Sequence, residues 1–366
     1  MFDQSLRYFQ RMKKISHDFI INRNYLQPGK YVYRRDYNCF LLNDKDTANR
    51  ADSIFAYRSL KAQKKSFCLK DLIKTCIEYF AIGNLCVKNP ITQNDEAFKG
   101  AILFHSGNLD QLSTMKIFDF DREEVMTLFS SKAAYAKATL DYEYFSPHFS
   151  MPLLKYQDDN RLVTIEEFID FRSGYEDNDQ YYGYVMNEVL KDSLRYFEFV
   201  KQAHLYQLRT PSELLEDFAE NDELLISVWS DLNGDLKHIK FPFLNLHGDL
   251  RIANILINQE DDTVKYIDFE YAESFVVFYD VFKMIFNEHE NNFNDLYRTH
   301  FMNGEYDKYL ADIFNIFGLK YCTQLKREYF KIFFINYFAN RWKDLGVAAR
   351  EQQFAEYRHF MSYLDQ

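Results

Sequence analysis

The sequence predicts an α+β fold in two parts, a small antiparallel β-rich part followed by a larger helical part. Three observations carry this. Short apolar runs separated by turn signals cluster between Ala101 and Phe168. Long stretches with helical apolar spacing follow from Tyr181. One strand–loop–strand interval, Phe243–Phe269, interrupts those helices. Strands first and helices later is the order of an α+β chain rather than a doubly wound one.

Taken in order, residues 1–95 read as an N-terminal extension that is partly helical. Leu72–Phe80 has helical apolar spacing, whereas Tyr31–Phe40 alternates like a strand. The β-rich part spans 96–169. Ala101–Phe104 is a short apolar run, His105–Asn108 a turn, and Ser113–Phe120 alternates polar and apolar residues. Asp121-Arg122 marks another turn, Glu124–Phe129 a further strand, and Leu162–Phe168 one more. Between them Ser130–Phe145 reads as an Ala-rich helix opened by serine caps. Residues 170–366 form the helical part, with helices over Tyr181–Tyr206 and Pro211–Asp231 and again from Asp280 onward.

Composition excludes several classes. With 47% hydrophobic and 18% aromatic residues, and only 11 Gly and 6 Pro in 366, the chain has the makings of a large core and little coil. A net charge of −11 argues against a nucleic-acid binder, which carries a basic stripe. No apolar run approaches the ~20 residues that span a bilayer, and mean hydropathy is −0.43. The N-terminal MFDQSLRYFQRMKK lacks an apolar signal-peptide core. The five cysteines, Cys39, Cys68, Cys76, Cys86 and Cys322, are scattered without C-x-x-C spacing. Reduced thiols in a cytoplasmic protein are the expectation.

The chemistry is concentrated in Leu246–Ala272. Apolar strands Ile255–Ile257 and Val264–Ile267 flank a turn at Asn258–Asp262, a polar loop His247–Asn254 precedes them, and Asp268 follows. The hairpin brings Asp249, Asn254 and Asp268 toward one another. Phosphoryl transfer needs this set: an Asp to orient an acceptor hydroxyl and take its proton, and oxygen ligands to hold Mg²⁺ against the phosphates. The expected roles are Asp249 as base, His247 as a loop-holding residue, and Asn254 with Asp268 as metal ligands.

The segment HGDLRIAN resembles the H-x-D-x-x-x-x-N catalytic loop of the aminoglycoside phosphotransferase / choline kinase family, with Gly248 where protein kinases usually carry Arg. Ile267-Asp268-Phe269-Glu270 is similar to that family's metal motif, and Tyr271-Ala272 extends the likeness to choline kinases. Phe278-Tyr279-Asp280-Val281-Phe282 matches the family's buttressing Asp, which makes Asp280 structural. The resemblance implies a bilobal protein-kinase-like fold. Residues 96–169 would be the nucleotide-binding N-lobe, and 170–366 the C-lobe with catalytic loop and acceptor site.

The fold so implied calls for a strand Lys that holds the α/β-phosphates and an acid on the following helix. Lys116, in Met115-Lys116-Ile117-Phe118, is the favoured Lys. Glu124–Phe129 is an equally good third strand, in which case Thr127 stands at the Lys position and Lys132 substitutes. Glu143 is the favoured acid, with Asp141 second. Glu167 and Ile169 belong to a presumed hinge whose backbone contacts adenine. The acidic, aromatic Arg172–Tyr184 suits a cationic amino-alcohol or a sugar, or is a solvated loop.

The expected activity is an ATP- and Mg²⁺-dependent phosphotransferase with an alcohol group as acceptor, acting on a sugar, glycan precursor or amino-alcohol. The alternatives are a protein-modifying kinase or nucleotidyl transferase and a catalytically inactive kinase-like binding module. A small-molecule hydroxyl acceptor is the expected partner; nucleic acid is not.

Overall fold

The computed structural model describes residues 2–34, 39–52, 86–87, 97–104, 114–172, 179–218, 222–292, 294–342 and 345–364. The expected helix Leu72–Phe80 and the turn His105–Asn108 lie outside them. The chain divides into two compact units. The first comprises Met1–Leu140, Pro152–Tyr175 and Asn258–Asp261; the second comprises Asp141–Met151, Glu176–Ile257 and Asp262–Gln366.

The first unit is built on an antiparallel sheet. Its strands are β1 (Gly29–Arg34), β2 (Cys39–Leu42), β3 (Cys86–Val87), β4 (Gly100–Phe104), β5 (Thr114–Asp119), β6 (Glu124–Phe129), β7 (Leu154–Asp158) and β8 (Val163–Glu167), in the order β3-β1-β2-β4-β5-β6-β8-β7. The described strands β1, β2 and β3 therefore belong to this sheet. β2 pairs directly with β4, placing Phe40 opposite Ile102, so the boundary expected at 95/96 falls inside one sheet. The reason lies in β2, whose consecutive Cys39, Phe40 and Leu41 are all buried, an apolar run that needs cover on both faces and neighbours on both edges.

The N-terminal helix α1 (Phe2–Asn22) covers one face of that sheet. Met12, Ile15 and Phe19, spaced at three and four residues, pack with Phe40, Ile102, Ile117 and Met126. The alternate residues of the same strands point to the opposite face. There Leu103, Lys116, Thr127 and Thr164 lie in one cross-strand row. Helix α2 (Lys132–Phe145) follows β6, and Ser131 Oγ accepts from Ala134 N at 3.1 Å. The cap is one residue into the expected Ser130-Ser131 signal.

The second unit is mostly helical. It contains α3 (Asp179–Gln202), α4 (Pro211–Phe218), α5 (Glu223–Ser230), α6 (Tyr279–Asn292), α7 (Leu296–Asn303), α8 (Asp307–Ile316), α9 (Lys326–Arg341) and α10 (Val347–Tyr363). The sequence read Pro211–Asp231 as one helix. The structure describes two, the second capped by Asp222, whose carboxylate accepts from Leu224 N and Leu225 N. α9 is buried along nearly its whole length. Its rings pack against α6 and α10, for example Phe330 on Phe282 at 4.3 Å and Phe334 on Tyr357 at 4.8 Å. Among the described residues no helix is long and apolar enough to cross a membrane. The expected α+β class is what the structure has, a β-rich first unit and a helical second unit.

Candidate active site

The loop His247–Asn254 emerges from strand Phe241–Leu246, which is antiparallel to strand Glu273–Val276. It leads into the hairpin of Ile255–Asn258 and Val264–Tyr266, with Ile255 opposite Tyr266 and Ile257 opposite Val264. The apolar residues on these strands are buried and the intervening loop is polar, so the sequence order alone forces a strand–loop–hairpin.

Four interactions fix the loop. His247 is buried, and its Nε2 bonds the carbonyl of Ile267 at 2.9 Å. Its ring lies 4.4 Å from that of Phe269, which in turn packs on Phe145 at 4.6 Å. The Asp280 carboxylate, in the first turn of α6, accepts from His247 N and Gly248 N, both at 2.9 Å. Burial raises the Asp280 pKa, and the charges and donors around it, His247 foremost, oppose the rise. Gly248 sits at φ +75°, and a Cβ there would meet the Tyr271 carbonyl at 2.3 Å and the Phe275 ring at 2.6 Å. Only glycine fits that turn.

The candidate chemical groups are gathered by backbone bonds. Asn254 Nδ2 donates to the carbonyl of Asp249 at 2.9 Å. Ile267 N donates to the carbonyl of Asn254 at 3.0 Å, which sets Asp268 beside Asn254 across the hairpin. Asp268 itself adopts φ 63°, ψ 54°, a left-handed conformation uncommon outside glycine. With the Asn254 amide nitrogen spent on Asp249, its side-chain oxygen is left as an acceptor.

Three cations surround the Asp249 carboxylate. Arg341 Nη2 lies 3.3 Å from Oδ1, Lys283 Nζ 3.7 Å from Oδ1, and Arg251 Nη2 3.4 Å from Oδ2. Arg341 also donates to the Gly248 carbonyl at 3.3 Å, and its guanidinium lies 4.1 Å over the Tyr271 ring. Burial pushes the Lys283 ammonium down to about 8, with Asp249 pulling the other way. The sequence reading missed Arg341 and Lys283. Arg341 is the one basic residue in the last turn of an otherwise apolar, aromatic helix end.

The antiparallel sheet with a helix after β6, the later polar loop and hairpin, and the helices that follow come in the order the sequence predicted.

The residues expected at the nucleotide are placed as follows. Lys116 is on β5, whereas the strand leading directly into α2 is β6, and it carries Thr127. Lys116 is Thr127's cross-strand partner, so both side chains stand on one face of the sheet. Lys132 is exposed at the start of α2, and Glu143 is exposed near its end, in the second unit. Glu167 ends β8 and donates its N–H to the Leu153 carbonyl at 2.9 Å, while Ile169 is buried. In the acidic stretch Arg172–Tyr184, Asp179–Tyr184 belong to α3 rather than to a loop. Tyr182 is buried and its carbonyl accepts from the Tyr297 hydroxyl at 2.9 Å, and residues 173–178 lie outside the description.

No protein-family model matches this sequence, and no curated protein matches it. Solved structures do. A macrolide 2′-phosphotransferase from Brachybacterium faecium aligns at 14% identity over 70% of this chain and 91% of that one, with a TM-score of 0.43. An amicoumacin kinase in complex with AMP-PNP and Ca²⁺ aligns at 14% identity over 71% and 87%, TM-score 0.40. A choline kinase from Streptococcus pneumoniae aligns at 12% identity over 70% and 92%, TM-score 0.38.

Proposed function

We propose that the chain is an ATP-dependent small-molecule phosphotransferase that moves the γ-phosphoryl group to an alcohol hydroxyl. One observation carries the reading: the Asn254 side chain and the Ile267 amide tie Asp249, Asn254 and Asp268 into a single hydrogen-bonded loop. Asp249 accepts the acceptor's hydroxyl proton as the oxygen attacks phosphorus. His247 and Asp280 act at one remove, holding the loop backbone in place. Arg341 and Lys283 set the direction of the Asp249 carboxylate.

The donors fit a hard divalent cation. Asn254 offers an amide oxygen and Asp268 a carboxylate, both suited to Mg²⁺. When bound, Mg²⁺ neutralises charge on the β- and γ-phosphates. For the nucleotide, Lys116 on β5 is the proposed phosphate-holding charge, on the same sheet face as Thr127. Glu143 is the proposed acid, and the backbone at Glu167 and Ile169 is the proposed adenine hinge. The acceptor class proposed is a sugar, glycan precursor or amino-alcohol.

The test is ATP turnover with Mg²⁺ across a panel of sugars, choline, ethanolamine and aminoglycosides, for wild type and Asp249→Asn. Acceptor-dependent ADP release that vanishes in the variant supports the reading. Undiminished turnover in Asp249→Asn sinks it.

A further inference from the structure

Away from the catalytic loop, the C-terminal end of α6 and the last turns of α10 bring His289, Glu290 and His359 together. One donor atom from each lies within 4.8 Å of the others. His359 Nδ1 is 2.9 Å from Glu290 Oε1, and His289 Nε2 is 3.4 Å from that same oxygen.

A second observation points to a ligand. His289 is only 7% exposed, and its Nε2 is buried without a hydrogen-bond partner. The other nitrogen, Nδ1, bonds the carboxylate of Asp295. Asp295 is itself held by Arg298, whose Nε and Nη2 each donate at 3.3 Å. With Asp295 on Nδ1, Nε2 is the ring nitrogen left to face the Glu290 carboxylate oxygen, at 3.4 Å. That spacing lets one cation take both atoms as ligands.

We propose that His289 Nε2, Glu290 Oε1 and a ring nitrogen of His359 form a Zn²⁺ site joining α6 to α10. Two imidazoles and a carboxylate are a zinc donor set, and the Asp295 contact is the outer support that metal-binding histidines carry. Tetrahedral bonds of about 2.0–2.1 Å put ligand atoms about 3.4 Å apart, close to the two measured separations. His359 is 57% exposed on its side chain, so the fourth position opens to water. The first turn of α6 holds the catalytic loop through Asp280, so zinc would fasten the far end of that same helix.

The competing account is a doubly protonated His289 paired with Asp295 and Glu290, which takes up no metal. The full-length protein, stripped with chelator, is titrated with ZnCl₂ and read by equilibrium dialysis with elemental analysis, alongside thermal melting. One equivalent of zinc should bind and raise the melting temperature. Glu290→Gln and His359→Ala, the latter at an exposed position, should each weaken binding at least about tenfold. Co²⁺ in place of zinc should show ligand-field bands without thiolate charge transfer. No binding, equal binding by His359→Ala, or a thiolate band from the cysteines would each overturn the site.

Discussion

Asn254 Nδ2 donates to the backbone carbonyl of Asp249 at 2.9 Å, so the residue proposed to bind metal also shapes the loop that presents the base. Asn254→Ala removes both functions and leaves a buried carbonyl unsatisfied, at a cost of about 1–3 kcal/mol. Turnover measured against Mg²⁺ concentration should show an apparent metal affinity at least about 10-fold weaker. Asn254→Asp keeps an oxygen ligand yet turns an acceptor toward the Asp249 carbonyl. It should recover part of the metal affinity and little of the stability. Wild-type Mg²⁺ dependence in the Ala variant would remove Asn254 from the metal site.

Gly248→Ala tests the turn. The left-handed backbone and the 2.3 Å approach to the Tyr271 carbonyl leave no room for a methyl group unless the strand Glu273–Val276 or the loop shifts. The expected loss is about 2–3 kcal/mol in urea unfolding, with activity falling further because Asp249 is the next residue. A change within about 0.5 kcal/mol would place the variant among ordinary surface substitutions and contradict the packing described.

How much of this was legible depended on sequence distance. His247, Asp249, Asn254 and Asp268 lie within one strand–loop–hairpin, so local pattern placed them together. Arg341 reaches Asp249 across 92 positions, and nothing in a buried aromatic helix announces that its last arginine turns inward. Strand order was equally hidden. Leu41 and Ala101 are partners across a long intervening segment, and alternation in Tyr31–Phe40 shows a strand without showing its neighbour. The same limit applies to Lys116: its strand was readable, while its cross-strand partners Leu103 and Thr127 depend on strand order. Two-residue-scale signals such as the Ser131 cap and the Gly248 turn were within reach because their chemistry is local.

Arg341 is predicted to be irreplaceable by lysine. Its guanidinium contacts both Gly248 O and Asp249 Oδ1 while lying over Tyr271. A planar fork can do all three, and an ammonium cannot. Arg341→Lys and Arg341→Met should therefore both lower kcat by at least about tenfold, with smaller effects on KM for ATP. Full activity in Arg341→Lys would show that only the charge matters.

Lys283 gives a pH prediction with a definite sign. Burial depresses its pKa to about 8, below that of a lysine in the unfolded chain, with Arg341 and Arg251 adding to the depression and Asp249 opposing it. Between about pH 8 and the ordinary lysine value of 10.5, the unfolded chain binds more protons than the folded one. Stability attributable to this group therefore rises with pH across that window, and its burial is most costly below it. The comparison is wild type against Lys283→Met, which keeps the chain length over Tyr337, where the Lys283 nitrogen sits 4.7 Å from the ring centre. Urea unfolding at pH 7 and at pH 9.5 should show wild type gaining on the variant at the higher pH. A gap that stays constant would mean that Asp249 holds Lys283 charged throughout. In that case Lys283 is a fixed member of the cation cluster rather than a group that titrates near neutrality.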